Sequence, residues 1–414
     1  MRDHKYCQEE TAEFVERMDA WLARIARLFR SETGTNYVSS VLMGGYGKGW
    51  GAMSPSSEGP LPVNDLDIAI VTKDRLGASD LLRLHELATQ ILNPASQYDM
   101  RSWSAMDVHA DVMNFCVSDF QRLQPTQFHL DLTQGSRVFD GDDVLAGAVR
   151  IGALDLDKGD ALRLVFNHVI NLFEPCAVGN PEDLATRTAL FFTATKAAVA
   201  AGSAVIMING QYHTHLPERF EALRALDKAG IISEITAHDE RFVEDYEQYA
   251  RDRALATEDR VQRSFEYYMR SRDMICSAAR YCVSEIFRCK AMCDICGLAD
   301  DLPNLWVSEN VETPRGRLNC KSVAKKALQA VGLRAKPVPW RPRAVVYAAG
   351  LPLLAAFTYN EQGLYHIDSG YAQAGKSILA DAGIAVGTKQ DMFAQWQECG
   401  RAAVGALKSQ NWIR

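Results

Sequence analysis

No uncharged apolar run in this 414-residue chain reaches the ~18 residues a membrane-spanning helix needs. The first residues, "MRDHKYCQEETAEF", are charged and polar and lack the apolar core of a secretion signal. Both absences predict a cytoplasmic protein. Ten cysteines are scattered along the chain, which argues for reduced thiols rather than a disulfide framework. An excess of basic residues is also missing. The formal net charge is −7, against the usual sign of proteins that live on non-specific nucleic-acid binding. There is no internal repeat and no low-complexity segment. Hydrophobic content of 47% and charged content of 23% are those of an ordinary globular protein, and the length suggests two or three domains.

Charge is uneven along the chain. Residues 313–343 hold nine Lys or Arg and no acid, whereas 234–259 are rich in acids. The basic segment reads either as a cover for an anionic acceptor or as a solvated face balancing the acidic stretch.

Residues 8–31 predict an amphipathic helix, with Phe14, Met18, Trp21, Leu22, Ile25 and Leu28 at helical spacing. "YVSSVLM" (37–43), "DLDIAIV" (65–71) and "DVHADVMNFCV" (107–117) read as strands, and 79–92 as a helix capped by Ser79. Residues 1–150 therefore predict a compact α+β unit. Residues 151–300 predict a mainly helical domain, with helices at 158–173, 184–208 and 261–296. Residues 301–414 read as a smaller C-terminal region, irregular at first and helical at its end.

The stretch "MGGYGKGWG" (43–51) carries the chemistry. It is not a Walker A loop, because Lys48 is followed by Gly49 rather than Ser or Thr. It is not a dinucleotide fingerprint either, because no long amphipathic helix with a distal acid follows. It is a glycine turn ending a strand, with Asp65 and Asp67 on the next strand. Residues two apart on a strand share a face, so both carboxylates point one way. They repel unless a cation lies between them. Mg²⁺ is held by one or two carboxylates with phosphate oxygens, and glycine turns let backbone approach phosphates. Asp111 is the third acid on a neighbouring strand; Asp107 is the alternative on the same face. The bland alternative is a core turn with two solvated acids. Asp is disfavoured in strands, so two flanking one leucine stand out.

This pattern resembles the polymerase β-type nucleotidyltransferase superfamily: Met43-Gly44-Gly45, then Asn64-Asp65-Leu66-Asp67-Ile68, then Asp111-Val112. The turn Gly44–Gly51 is similar to the "GGYGRGEG" of bacterial members. Gly45 stands where many members have Ser, and Trp50 where an acid or small residue is common. The spacer to Asp65 includes "PSSEGPLP", which reads as a surface insertion. The resemblance spans roughly residues 35–225. It implies catalytic and metal-binding roles for Asp65, Asp67 and Asp111. It implies nucleotide contacts by Gly44, Gly45, Tyr46, Lys48 and Lys196, with Tyr212 a weaker candidate for base stacking. The implied reaction uses Mg²⁺ (or Mn²⁺) and an NTP, such as ATP, and moves an NMP to a hydroxyl. The implied acceptor is a small metabolite, with RNA or protein second. No membrane partner is implied. The alternative is a catalytically silent nucleotide-binding or assembly protein.

Cys289, Cys293 and Cys296 have the spacing of an iron–sulfur motif. They also continue a helical stripe, which favours a buried core face. Zinc, with Cys320 as a fourth ligand, is the further alternative.

Overall fold

The structure is a computed structural model that describes residues 5–54, 59–63, 65–93, 108–287, 342–359, 365–381, 384, 386 and 391–411. Asp107, the cysteine cluster, Cys320 and nearly all of the basic segment lie outside the described residues. The chain divides into two compact units. The first comprises Met1–Leu156, Gly210–Ala222 and Ala250–Arg260; the second comprises Asp157–Asn209, Leu223–Tyr249 and Val261–Arg414.

The first unit is built on a four-stranded mixed sheet. Its members are β1 (Tyr37–Leu42), β4 (Asp65–Thr72), β5 (His109–Cys116) and β6 (Arg137–Gly141), in the order β5-β4-β1-β6. β1 is antiparallel to both β4 and β6, while β4 and β5 run parallel. The parallel pair needs a crossover, and α3 (Ala78–Leu92) lies within it. Ser79 does not cap α3: the cap position is Gly77, and no side chain bonds there. The glycine turn forms a four-residue helical turn, α2 (Gly44–Gly47). Two short strands, β2 (Met53–Ser54) and β3 (Leu61–Pro62), pair antiparallel, so the expected surface insertion closes as a small ladder.

Alternation along β4 sorts the sheet's two faces. Leu66, Ile68 and Ile70 pack with Leu84 and Ala88 of α3 and with Phe14, Met18, Leu22, Ile25 and Phe29 of α1 (Ala12–Thr33). Ala69 and Val71 join Val41, Met43, Phe115, Phe120 and Leu132 on the other face. Asp65 and Asp67 share the parity of Ala69 and Val71, and Asp111 that of Phe115. The acids thus belong to the second face, which is covered in part by α4 (Gln127–Gln134). Thr126 caps α4 by accepting the His129 N–H at 3.3 Å.

The second unit is helical. α5 (Lys158–Val178), α6 (Leu184–Ile208) and the helix Ser264–Phe287 form its centre. Within it, Arg270 meets the buried acids Asp239 and Asp245, and Arg241 meets Asp245 at 2.8 Å. The described residues from 342 onward fall in this unit. Their helix Pro342–Ala356 is apolar and joins the unit's core; Tyr347 donates to Asn167 Oδ1 at 2.6 Å. The terminal helix Met392–Asn411 buries Trp396, whose Nε1–H donates to Leu353 O at 2.8 Å. Among the described residues one helix, Leu184–Ile208, is long and apolar enough to cross a membrane, but 94% of that apolar window is buried in the protein.

Candidate active site

The ladder between β4 and β5 brings two of the predicted acids side by side: Asp67 is the register partner of Asp111, and Asp65 that of His109. Carboxylate oxygens from Asp65, Asp67 and Asp111 lie within 4.8 Å of one another. Partial burial, then the Asp65 charge, pushes the Asp111 carboxyl up to about 6. His85 stands 3.9 Å from Asp111. Burial, with help from His109, lowers its imidazole to about 4, and its Nδ1 accepts the Val112 N–H at 3.3 Å. Burial thus favours the neutral imidazole, which holds the β5 backbone through Val112.

The glycine turn is tied to the same strand, since Met43 N–H donates to Asp67 O at 2.8 Å. Gly44 has φ +60°, and an added Cβ would overlap the Asp67 carboxylate. This position accepts only glycine on both counts. The Tyr46 side chain does not face a ligand. It is 4% exposed, and its hydroxyl lies 2.6 Å from Ala52 O and 2.9 Å from Val63 O while accepting the Val63 N–H at 2.7 Å. Gly51 has no side chain where that ring packs. Tyr46 is thus a strut for the turn, its side chain spent on the fold. The N–H groups of Gly44, Gly45 and Tyr46 find no acceptor among the described residues.

A cavity of ≈ 150 Å³ opens beside the turn, lined by Gly44, Lys48, Asp67, Gln127, Phe128 and Asp131 among others. Lys48 and Asp67, predicted from one motif, meet here with residues that sequence reasoning missed. Lys48 Nζ pairs with Asp131 at 2.6 Å, both side chains being mostly buried. Burial pulls the Lys48 ammonium down, and Asp131 opposes that pull. The Asp131 carboxylate also accepts from Gln127 at 2.9 Å and from the Tyr212 hydroxyl at 3.1 Å. Arg219 donates to the Tyr212 hydroxyl at 2.6 Å, and its guanidinium lies 4.3 Å from the Tyr212 ring centre. Tyr212 is therefore a core aromatic whose ring is covered, and base stacking is not open to it. Phe128, 41% exposed, is the aromatic face on the cavity. Lys196 lies on α6 in the second unit, between the buried Thr195 and Ala197. Its assignment to a nucleotide rests on the resemblance.

Replacing Asp131 with Asn removes the carboxylate that pairs with the Lys48 ammonium in a largely buried network. Breaking one partner of such a pair costs about 3 kcal/mol, so Asp131→Asn is expected to lower the denaturant midpoint clearly. A midpoint within error of wild type would show that the network is not stabilising.

No protein-family model matches the sequence. No curated protein matches it. Among solved structures, the chain is similar to a spectinomycin adenyltransferase from Enterococcus faecialis, determined with ATP and spectinomycin. The two are 13% identical over 63% of this chain and 98% of that chain, with a TM-score of 0.31.

Proposed function

We propose that the first unit is a divalent-metal-dependent nucleotidyltransferase of the polymerase β type. It would move an NMP from an NTP to a hydroxyl of an acceptor. The observation that carries this reading is the convergence of Asp65, Asp67 and Asp111 to within 4.8 Å beside a glycine turn. The donor set fits Mg²⁺ or Mn²⁺: three carboxylates, hard oxygen ligands, one of them raised by burial and then by the Asp65 charge. Asp65, Asp67 and Asp111 would hold the cation. When bound, it neutralises phosphate charge and lowers the pKa of the attacking hydroxyl.

The chain's own groups do the rest by position. The unmet N–H groups of Gly44, Gly45 and Tyr46 suit phosphate oxygens. Asp131 holds the Lys48 ammonium at the cavity beside Asp67, where a triphosphate would meet a fixed positive charge. The acceptor oxygen attacks the α-phosphorus in line and pyrophosphate departs, with catalysis mostly by positioning and charge neutralisation. A small-molecule acceptor suits the net charge of −7 better than RNA does.

Thermal unfolding tests the binding half of this reading. An NTP and Mn²⁺ together are expected to stabilise the protein well beyond the sum of either alone, by about 2.7 kcal/mol at a hundredfold excess over Kd. No shift with any of ATP, GTP, CTP or UTP would contradict it. The pH dependence follows from Asp111. Its folded-state value of about 6 lies above the ordinary 3.8, so in the metal-free protein its contribution to stability is full below 3.8 and is lost as pH rises through 6. A cation needs the ionised form. Mn²⁺ affinity is expected to fall up to about tenfold per pH unit below 6 and to level off above 7. Titration of Mn²⁺ by calorimetry between pH 5 and 8 reads this directly; a flat profile would remove Asp111 from the ligand set.

A further inference from the structure

The turn has a gap that a distant arginine fills. Gly45 brings no side chain to the place where the family resemblance has Ser. Its φ is ordinary, so the absence is not a backbone requirement. Around the position of its missing Cβ stand Trp50 O at 3.2 Å and Arg253 Nη2 at 3.4 Å.

Arg253 arrives from 208 residues downstream of Gly45, on Ala250–Arg260, which folds with the first unit. Its flanks are fixed. Met53 N–H donates to Ala254 O at 3.0 Å, and Leu255 bridges to Met53. The adjacent acid Asp252 is engaged by Arg260 at 2.8 Å. The Arg253 Nε is buried with no hydrogen-bond partner among the described residues. Asp65 and Asp67 are the carboxylates whose charge acts on it. A fork-shaped donor in a partly buried site, with a buried and unused Nε–H, matches a phosphate better than it matches its present surroundings.

We propose that Arg253 is a phosphate-binding residue of the first unit. Its guanidinium supplies, at the Gly45 side of the turn, the donor that Gly45 lacks, to the β- or γ-phosphate of a bound NTP. This rests on the nucleotidyltransferase reading and deepens it. It also supplies a physical reason why Gly45 need not signal a silent site.

The test is equilibrium binding of ATP, GTP, CTP and UTP with Mn²⁺, and of the four monophosphates, to wild type, Arg253→Ala, Arg253→Lys and Arg253→Ala/Gly45→Ser. Arg253→Ala is expected to weaken the NTP that wild type binds by about 10- to 100-fold, the range of a charge-assisted hydrogen bond, while the matching NMP changes less than about twofold. Arg253→Lys keeps the charge without the fork and is expected to fall between; it also serves if Arg253→Ala does not fold. Gly45→Ser in the Arg253→Ala background is expected to restore part of the loss. If wild type binds an NTP and Arg253→Ala binds it equally well, this assignment alone is overturned. Equal losses of NTP and NMP would make Arg253 a structural counter-ion and overturn it as well. If wild type binds no NTP, the parent reading falls and this one with it.

Discussion

Asp67→Asn is expected to reduce metal-dependent nucleotidyl transfer by about 10³-fold, because a metal contributes several kcal/mol of charge stabilisation and each 1.36 kcal/mol is a factor of ten. The substitution keeps the shape of the side chain and removes one anionic ligand. Asp67 stands beside Asp111 in the ladder, so its loss takes out the member shared between the two strands and the glycine turn. The flanking Leu66 and Ile68 carry the packing of β4 on the opposite face and are untouched. The loss should therefore appear in single-turnover rate and in Mn²⁺ affinity, with the far-ultraviolet circular dichroism unchanged. Retention of activity to within tenfold would show that Asp67 does not hold the cation.

Gly44→Ala has the second largest expected effect. A left-handed conformation costs a non-glycine residue about 1–2 kcal/mol. The new methyl would also overlap the Asp67 carboxylate and displace it from its neighbours. A misplacement of about 1 Å at a reacting centre costs on the order of 10²-fold, which is the loss expected here. Gly45→Ala is the internal control. Its φ is ordinary, and the nearest neighbour of an added Cβ lies at 3.2 Å, so a much smaller loss is expected. Equal effects at 44 and 45 would show that the approach to Asp67 is not what requires glycine.

The parts of the site that were legible in the sequence are those fixed by short-range periodicity. Asp65 and Asp67 flank Leu66, and a period of two suffices to put them on one face. The glycines mark where β1 must end and where backbone must approach something closely. Choosing the third acid was harder, because Asp107 and Asp111 share a parity. The parallel register sets Asp111 beside Asp67, while Asp107 lies outside the described residues. Ser79 looked like a helix cap because the residue type is right, but α3 starts one residue earlier, at Ala78, and Gly77 holds the cap position.

What was not legible came from long-range contacts. Asp131, Arg219 and Arg253 carry no local mark: each sits in a segment whose pattern reads as an ordinary charged surface. The meaning of Arg253 depends on Ala250–Arg260 folding with the first unit, which no local periodicity encodes. Tyr46 misled in the opposite sense. A tyrosine inside a glycine turn suggests a ligand contact, whereas its hydroxyl spans two backbone carbonyls within the fold.

The most direct test of the central claim is transfer itself. The protein would be incubated with α-³²P-labelled ATP, GTP, CTP and UTP in turn, with Mg²⁺ or Mn²⁺, and a cell extract as acceptor pool. The Asp65→Asn/Asp67→Asn double variant runs alongside. Label from one NTP is expected on an acceptor, dependent on the cation and absent with the variant. No labelled product from any NTP, or equal labelling by the variant, would contradict the assignment of this site to nucleotidyl transfer.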